Sequence, residues 1–573
     1  MKNIPILYLI LQWLQITMEQ ALLESLISFL GEGTQHRMNE PDDVKSFLPK
    51  YDFIIVGAGT AGCVIANRLS ENPDWNILLL EAGISENYLM DLPVLVSYLQ
   101  FSEANWKYKT MPSEKYCLGM DNHQCNWPRG KVVGGSSVLN YMIYSRGNYR
   151  DYDNWEKMGN PGWSYKDVLP YFKKTENFSI PTDYDQDYHG SEGYLSVGYA
   201  PYRTKLSEHI VKAALETGMN YVDYDGKTQV GVSYLHLSMK DGLRHSSSMA
   251  YLHPVKRRNN LHFRKRAMVK RVIIHPVSKQ TVGVEVVLGG TTYTLRAKKE
   301  VILAAGSINS PQLLMLSGVG PKNHLKQMDI PVIQNLKVGY NLIDHVTVGG
   351  LTFLINENIS LVVVRLYPNV ELLFQGGSLT SDPLLHRNYG VTRENYKAVY
   401  GDIEDRHSYM VLPILLHPRS RGRVALKDNS YKSKPLIYPN YFAHQEDLDT
   451  LIQGIKQAIN ISQQPALQSI GTRLHKTPIP GCRDFEFGSD RYWECHIRHF
   501  PFTLFHPSGT CKMGPKVDGK SVVDSRLRVH GVTGLRVIDA SIIPQINSGH
   551  TAAPVYMIAE KGSDMIKEDW GVL

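Results

Sequence analysis

The feature that most constrains this chain is a glycine-rich turn that joins a buried strand to a helix near the N-terminus. Residues 51–56 form a short apolar run, which is typical of a strand buried in a parallel sheet. A second apolar run, residues 76–80, ends at Glu81. Between the two runs lies a G-x-G-x-x-G fingerprint made by Gly57, Gly59 and Gly62. This strand–turn–helix–strand unit predicts a Rossmann-like domain that binds a dinucleotide.

Each part of the turn has a physical role in holding a pyrophosphate. Gly57 allows the tight turn, and Gly59 lets the backbone approach the phosphates closely. The N-terminus of the following helix, at Thr60 and Ala61, offers N–H groups and a partial positive charge. Glu81 is placed to accept hydrogen bonds from ribose hydroxyls, and an acid there disfavours a 2′-phosphate. The motif alone does not distinguish NAD from FAD, and a turn of this kind without a ligand is the alternative.

The composition is that of an ordinary globular protein. Hydrophobic residues make up 43% and charged residues 20% of 573 residues, so the chain can bury a sizeable core. The net charge of +7 is diluted over that length and does not argue for nucleic acid or membrane. Basic residues cluster at Arg244 and His245, at 256–258 and at 264–266. No set of stacking aromatics accompanies them, so we expect solvated surface and no nucleic-acid partner.

The order of the apolar runs predicts that the first domain is discontinuous. Further buried strands are expected at 269–274, 282–286 and 301–305. Between about residues 351 and 442 the pattern changes to irregular strands and turns, which indicates a separate layer facing the substrate. Another buried strand at 535–539 returns to the character of the first domain.

The N-terminus predicts a secretory signal peptide. Lys2 precedes residues 4–16, which carry no charge and are too short a run to span a membrane. The alternative is a single amphipathic segment that continues through the helically spaced leucines of 22–30. No other stretch reaches transmembrane length without charges, so no integral membrane span is predicted. Support for secretion comes from three N-glycosylation sequons, at Asn177, Asn358 and Asn460.

The six cysteines are too few for a disulfide-built scaffold but contain two local pairs. The pairs that can form disulfides in an oxidising compartment are Cys117 with Cys125 and Cys482 with Cys495. Cys63 and Cys511 would then stay free. Cys495, His496 and His499 also suggest zinc ligands, but the chain lacks a second compact ligand pair at finger spacing, so no metal site is predicted.

Further blocks of sequence resemble the signatures of the glucose–methanol–choline (GMC) oxidoreductase family. They are a glycine–serine loop at 126–140, blocks at 306–320 and 339–345, and C-terminal blocks at 506–514, 538–541 and 549–551. With the N-terminal fingerprint, the resemblance extends from about residue 51 to residue 566. It is most similar to the branch of the family that contains insect glucose dehydrogenases and leaf-beetle salicyl alcohol oxidases.

The resemblance implies an α/β (α+β) fold. A Rossmann-like FAD-binding domain is interleaved with a smaller substrate-binding domain built on an antiparallel sheet. The expected divisions are a signal peptide at 1–20, an N-terminal helical segment at 21–50, the FAD-binding domain with interleaved substrate-domain segments at 51–346, the substrate-binding domain at 347–500, and a return to the FAD-binding domain with the catalytic histidines at 501–573.

The resemblance also implies a function, the FAD-dependent oxidation of an alcohol CH–OH group to an aldehyde, ketone or lactone. His506 would take the hydroxyl proton while the substrate carbon gives hydride to flavin N5, and His550 would bind the substrate oxygen. Imidazole titrates near neutral pH, which suits a general base. The residues expected at the cofactor are Gly57, Gly59, Thr60, Ala61, Gly62, Glu81, Arg129, Gly134, Gly135, Ser136, Asn140, Val269, Asp539, Ala540 and Thr551.

The resemblance also leads to expectations about how FAD is attached, which small molecules the protein uses, and which other functions are possible. Some relatives link FAD covalently through a histidine just before Asn140; here that residue is Leu139, so FAD is expected to be non-covalent. The expected partners are a small alcohol, either a sugar or an aryl or alkyl alcohol, and oxygen or a quinone as electron acceptor. Compared with close relatives the chain is expected to be shortened near Arg365, in the substrate domain. A catalytically silent FAD-binding paralogue is therefore the alternative, and an NAD-linked dehydrogenase is a further one.

Overall fold

Two β-sheets organise the computed structural model, which describes residues 31, 39–180, 185–357, 363–366 and 370–573. The predicted signal peptide and the leucines of 22–30 lie outside these residues. Residues 41–50 run along the edge of the first sheet, where Val44 N–H donates to the carbonyl of Phe263 at 2.8 Å. They form no helix, so the predicted helical segment 21–50 does not reach them.

The first sheet has seven strands around a parallel centre. Its parallel strands, in spatial order, are Leu261–Arg264, Ile77–Leu80, Tyr51–Val56, Thr291–Leu303 and Leu535–Val537. The start of the long strand Thr291–Leu303 pairs antiparallel with Thr281–Leu288, which pairs with Met268–Ile274. Strands Tyr51–Val56 and Ile77–Leu80 are buried throughout, as a parallel sheet requires. The return of the chain at Leu535–Val537 confirms the discontinuous Rossmann-like domain.

Three helices pack around the first sheet. Helix Thr60–Leu69 begins directly after the glycine turn and packs against the first two strands, and helix Ala552–Asp569 packs on it. Helix Gly306–Leu316 packs against strand Met268–Ile274. Its Pro311 lies in the second turn, where the missing N–H removes one backbone hydrogen bond of the helix.

The second sheet has eight antiparallel strands and confirms the predicted substrate-domain architecture. Its main path is Arg473–Leu474, Leu351–Leu354, Ser408–Leu415, Val370–Gln375, Val363–Leu366 and Val232–Tyr234, and Val346–Val348 joins Ser408–Leu415 to Pro501–Thr503. Helix Gln445–Ser462 covers one face. Strand Val363–Leu366 lies between its two neighbours, so the sheet is continuous through the region expected to be shortened.

Smaller elements complete the two domains. The remaining helices of at least five residues are Tyr149–Lys157, Tyr165–Thr175, Lys205–Glu216, the π-helix Ser248–Leu252, Lys322–Gln327, Leu385–Tyr389, Arg393–Tyr400 and Asp490–His499. The small sheets are Tyr108–Lys109 with Asn126–Trp127, Glu176–Phe178 with Leu195–Val197, Met239–Lys240 with Leu243–Arg244, Val319–Gly320 with Gln334–Asn335, and Tyr340–Leu342 with Gly422–Ala425 and Leu436–Tyr438. None of the helices in the described part of the chain has the length and apolar character needed to cross a bilayer.

The cysteines pair as the sequence allows. Disulfides join Cys117 to Cys125 and Cys482 to Cys495, with Cα–Cα distances of 5.7 and 5.8 Å, and Cys63 and Cys511 are free and buried. Among the described residues, the close group of metal-ligating side chains is Cys482, Cys495 and His499. The sulfur atoms of Cys482 and Cys495 are bonded to each other, so neither is available as a thiolate ligand for zinc.

One expectation about the surface is wrong. Arg244 and His245 are buried, with 1% and 8% of their surface exposed, and are not part of a solvated basic face. Arg244 ends the hairpin of Met239–Lys240 with Leu243–Arg244, and Nδ1 of His245 accepts from the N–H of Ser196 at 3.1 Å. The sequence did not reveal this because the groups that surround them come from distant segments.

Candidate active site

A single cavity of about 880 Å³ runs from the glycine fingerprint to the two predicted catalytic histidines. Its far wall comes from the second sheet, so the cavity lies between the two domains. Fifteen of the residues predicted from sequence line it: Gly57, Gly59, Thr60, Ala61, Glu81, Arg129, Gly135, Ser136, Asn140, Val269, His506, Asp539, Ala540, His550 and Thr551. The fold thus brings together side chains from both ends of the chain.

Two predicted cofactor residues lie behind the cavity wall. A Cβ on Gly62 would lie 1.8 Å from the carbonyl oxygen of Gly57, so this glycine allows the helix to pack on the turn. Gly134 has a φ of 93°, and a Cβ there would lie 2.7 Å from a methyl group of Val138. Both glycines shape the backbone and neither lines the cavity.

The fingerprint end of the cavity fits a dinucleotide pyrophosphate. Gly57 has a φ of 102°, and a Cβ on Gly135 would lie 2.6 Å from the Cα of Gly59. The two glycine loops therefore approach each other in a way that only glycine permits. The first turn of helix Thr60–Leu69 carries no acidic residue, so its N–H groups and positive end face the cavity uncompensated.

Two carboxylates are held at the ends of the strands beside this turn. Glu81 accepts hydrogen bonds from the N–H groups of Ala58 at 2.9 Å and Gly83 at 2.7 Å, and burial raises its pKa to about 7. Asp539 accepts from the N–H of Gly306 at 2.8 Å, and burial raises its pKa. These bonds fix the orientation of both carboxylates before any ligand binds.

The catalytic end contains a third histidine that sequence reasoning did not assign to the site. Nδ1 of His345 lies 2.9 Å from Nδ1 of His506, and Nε2 of His345 lies 3.2 Å from the carbonyl oxygen of Leu416. His345 is fully buried and adjoins Asp344 in the third family block. Its position beside an acid, in a block that resembles a family signature, was the only sequence signal.

These contacts determine which nitrogen of His506 is basic. The carbonyl of Leu416 accepts only, so Nε2 of His345 carries a hydrogen. Burial, with a smaller contribution from His550, lowers the pKa of His345 to about 3, so the ring is neutral at physiological pH and its Nδ1 holds a lone pair. Nδ1 of His506 must therefore donate to His345. In neutral His506 the basic lone pair is then on Nε2.

Asp344 holds the backbone of the same histidine. Its carboxylate accepts from the N–H of His506 at 2.9 Å, from the hydroxyl of Thr503 at 2.7 Å and from the hydroxyl of Tyr441. Burial raises the pKa of Asp344 to about 6. Adjacent residues Asp344 and His345 thus fix the main chain and the ring of His506 respectively.

The second predicted histidine faces a buried acid. Nε2 of His550 lies 3.1 Å from a carboxylate oxygen of Glu371, which is 1% exposed. The rings of His506 and His550 meet edge to face with centroids 4.9 Å apart. Glu371 was not predicted, although a lone charge in the apolar strand Val370–Gln375 was a signal that it faces something polar.

The wall next to the histidines is apolar. Leu373 follows Glu371 on the same face of its strand, and Leu412 lies directly opposite Leu373 in the neighbouring strand. Phe505 precedes His506 and stacks on Tyr389 with ring centroids 5.9 Å apart. All four of these side chains line the cavity.

The sequence matches the family model described as GMC oxidoreductase, with its N-terminal part at residues 51–347 and its C-terminal part at residues 418–559. The chain belongs to the GMC oxidoreductase family. It is 40% identical over 566 residues to glucose dehydrogenase (FAD, quinone) of Drosophila melanogaster, which covers 94% of this chain and 89% of the fly protein. It is 35% identical over 552 residues to the mitochondrial choline dehydrogenase of Mus musculus. This alignment covers 90% of this chain and 89% of the mouse protein.

Solved structures of two oxidases share the fold. Pyridoxine 4-oxidase from Mesorbium loti superposes with a TM-score of 0.79 and 26% identity, over 91% of this chain and 99% of the oxidase. Formate oxidase of Aspergillus oryzae superposes with a TM-score of 0.80 and 26% identity, over 91% of this chain and 99% of the formate oxidase. The predicted family, fold class and enzyme class are confirmed: the protein is a GMC-type oxidoreductase.

Proposed function

We propose that this GMC protein oxidises an alcohol CH–OH group with FAD as cofactor and His506 as the general base. The observation that carries the proposal is the chain of contacts from Leu416 through His345 to His506, because it leaves Nε2 as the basic nitrogen of a neutral ring. That nitrogen belongs to a residue on the wall of the cavity that also contains the dinucleotide fingerprint. A proton acceptor and a dinucleotide site in one cavity are what alcohol oxidation requires.

FAD is the cofactor of this protein, and the described residues fit it. The close glycine loops and the open helix N-terminus would hold its pyrophosphate, and Glu81 its ribose. When bound, FAD supplies the acceptor for the two electrons of the alcohol. Leu139, in place of a linking histidine, lies on the cavity wall and offers no nucleophile, so we propose non-covalent binding. Acid precipitation of the protein tests this: flavin in the supernatant is expected, and flavin in the pellet overturns it.

The protein side chains perform three tasks in the proposed reaction. His506 takes the hydroxyl proton at Nε2, while its Nδ1 hydrogen stays bound to His345. His550, held through Nε2 by Glu371, contacts the substrate oxygen from the other side. Asp344 keeps the main chain of His506 in place during the proton transfer. Since the imidazoles converge edge to face, one oxygen can contact both of them.

We propose an aryl or alkyl alcohol as the substrate, in preference to a sugar. Leu373, Leu412, Phe505 and Tyr389 are part of the cavity wall, and the first three offer no side-chain hydrogen-bonding group. A sugar would bury several hydroxyl groups against that wall without partners, and each unsatisfied group costs about 1–3 kcal/mol. The name of the fly relative concerns glucose, but that name describes the fly protein.

Anaerobic mixing of the purified holoprotein with a panel of alcohols tests both proposals. Bleaching of the oxidised flavin band by benzyl-type or aliphatic alcohols at lower concentration than by glucose supports the apolar substrate. Bleaching by glucose alone retains the alcohol oxidoreductase but overturns the substrate class. If no alcohol bleaches the flavin band but dithionite still does, the catalytically silent paralogue is favoured. A purified protein without yellow cofactor would favour an NAD-linked enzyme.

We also propose a quinone as the electron acceptor and an extracellular location. The quinone is suggested by the name of the fly relative, and oxygen uptake without added quinone would assign an oxidase instead. Secretion is supported by the two disulfides and by the exposed sequon asparagines Asn177 and Asn460. Asn358 lies outside the described residues. Expression in insect cells, with recovery from the medium and a mass decrease on enzymatic deglycosylation, is the expected result.

A further inference from the structure

Arg244 is a buried cation next to the cavity that the proposed reaction does not use. Only 1% of its surface is exposed, and it does not line the cavity itself. Its Nη1 donates to Oδ1 of Asn140 at 2.6 Å and to the carbonyl oxygen of Ser137 at 2.9 Å. Its Nε donates to the carbonyl oxygen of Met90 at 3.2 Å. One side chain therefore ties the glycine–serine loop to the segment around Met90.

The contacts of Asn140 fix which way its amide points. Besides the guanidinium of Arg244, the N–H of Met142 donates to the same Oδ1 at 2.9 Å. Both partners are donors, and an amide nitrogen cannot accept a hydrogen bond from either of them. The oxygen end of the amide is thereby held by the protein. Asn140 lines the cavity, and these two contacts engage its oxygen and not its NH₂ group.

We propose that Arg244 is a positioning residue that holds the amide of Asn140 so that its NH₂ group donates a hydrogen bond to the bound flavin. A donor of this kind stabilises the negative charge that the ring gains on reduction, and it does so without reorganisation because it is already fixed. Arg244 would thus raise the tendency of the flavin to accept electrons. It acts through Asn140 and does not contact the cofactor.

Two acids make a charged arginine tolerable in this buried position. Glu86 and Asp91 lie beside Arg244, and a carboxylate oxygen of Glu86 accepts from the hydroxyl of Ser246 at 2.7 Å. Burial and then the neighbouring Glu86 raise the pKa of Asp91, and burial also raises the pKa of Glu86, so the pair favours holding a proton. The charge of this pair and the guanidinium attract each other, since burial lowers the pKa of Arg244 and both acids act to raise it. This balance keeps Arg244 charged and its hydrogen bond to Asn140 strong.

The alternative is that Arg244 only stabilises the fold. The two roles are separated by measuring the midpoint potential of the flavin, by dye equilibration with dithionite, in Arg244→Met and Arg244→Lys. We expect Arg244→Met to shift the equilibrium between oxidised and reduced flavin about tenfold toward the oxidised form, which is about 30 mV for two electrons. Arg244→Lys, which keeps a donor and a charge, should recover part of the shift. A change in the visible flavin spectrum should accompany it.

Two further variants complete the test: a double variant that measures coupling to Asn140, and a matched control. In an Asn140→Ala background, Arg244→Met should cause no further shift in potential, because the amide through which it acts is gone. Arg258→Met is the control, since Arg258 also bonds backbone and hydroxyl oxygens, but its partners Asn67 and Ser70 do not line the cavity as Asn140 does. It should lower thermal stability and leave the potential unchanged. An unchanged potential in Arg244→Met, or a full additional shift without Asn140, overturns the proposal. Dye equilibration needs no alcohol, so the outcome does not depend on the proposed substrate.

Discussion

Nδ1 of His345 lies 2.9 Å from Nδ1 of His506, and this contact sets the hydrogen positions of the catalytic end. Two Nδ1 atoms at this distance need one donor and one acceptor. The carbonyl of Leu416 makes His345 the acceptor, so His506 is the donor. The geometry thereby selects the tautomer of His506 in the absence of any substrate.

Replacing His345 should therefore lower turnover without removing the cofactor. His345→Phe cannot accept the Nδ1 hydrogen of His506, so the wrong tautomer becomes populated, and we expect kcat to fall by about 10- to 10⁴-fold. His345→Gln offers an amide oxygen as acceptor and should recover part of the loss. Steady-state kinetics and the flavin absorbance of the purified variants are the measurements. Equal activities of the Phe variant and the wild type would contradict the tautomer assignment.

Removal of the general base itself should have a large effect on chemistry and little on FAD content. In His506→Ala we expect kcat to fall by about 10²–10⁴-fold, the usual contribution of a positioned general base. Flavin reduction by alcohol, followed by stopped flow, should slow by the same factor. His407→Ala is the matched control, because His407 is exposed on the surface. Unchanged turnover in His506→Ala would exclude it as the base.

Burial of neutral His345 should make the protein less stable in acid. Its pKa falls from 6.5 to about 3 on folding, so below about pH 6.5 the unfolded chain binds a proton that the native protein does not. Stability is thus fully present above that pH and is lost as the pH falls toward 3. Asp344 acts in the opposite direction below pH 6, because its raised pKa makes the native state bind the proton more tightly.

The difference between two proteins isolates the His345 contribution. Thermal midpoints of the wild type and of His345→Gln are measured at pH 7, 5.5 and 4. Asp344 is present in both proteins, so its effect on stability cancels in the comparison. The wild type should lose more stability than the variant as the pH falls. Parallel pH profiles of the two proteins would show that His345 is not held neutral. His407→Gln should follow the wild type, since His407 is exposed.

The parts of the site that could be predicted from sequence are those encoded by local spacing. The turn of Gly57 and Gly59 is recognisable because its strand and helix are adjacent in the chain, and the family blocks carried His506 and His550. The order of apolar runs indicated the Rossmann-like first domain, and the family resemblance supplied the rest of the fold class. Assignments of this kind need no knowledge of which distant segments meet.

The parts that were missed depend on long-range packing. Glu371 reaches His550 across 179 residues, through a strand whose place in the second sheet is set by its neighbours. Arg244 looked like a surface cation, yet its partner Asn140 lies 104 residues earlier. A charge in the sequence has the same appearance whether it faces solvent or a buried partner. Only the tertiary structure distinguishes the two cases.

The buried carboxylate of Glu371 should matter through its charge as well as its shape. Glu371→Gln keeps the size of the side chain and an oxygen that accepts from His550, but it replaces a charge-assisted hydrogen bond with a neutral one. Such bonds differ by about 1–2 kcal/mol, so we expect kcat/KM to fall by about 5- to 30-fold with FAD content unchanged. Glu404→Gln, at an exposed ion pair with Lys397, is the control. Wild-type kinetics in Glu371→Gln would mean that the charge has no role.

The pairing of the cysteines gives a prediction that depends on no enzyme assay. Of the six cysteines, four form two disulfides and Cys63 and Cys511 are fully buried, so a thiol reagent should find none in the native protein. Burial raises the pKa of both free thiols, which further lowers their reactivity. Unfolding without reductant should expose two thiols, and unfolding with reductant should expose six. Four reactive thiols after unfolding alone would show that one pair is reduced in solution. A pair left reduced would make the Cys482, Cys495 and His499 group available to a metal ion, and zinc analysis of the same sample would detect it.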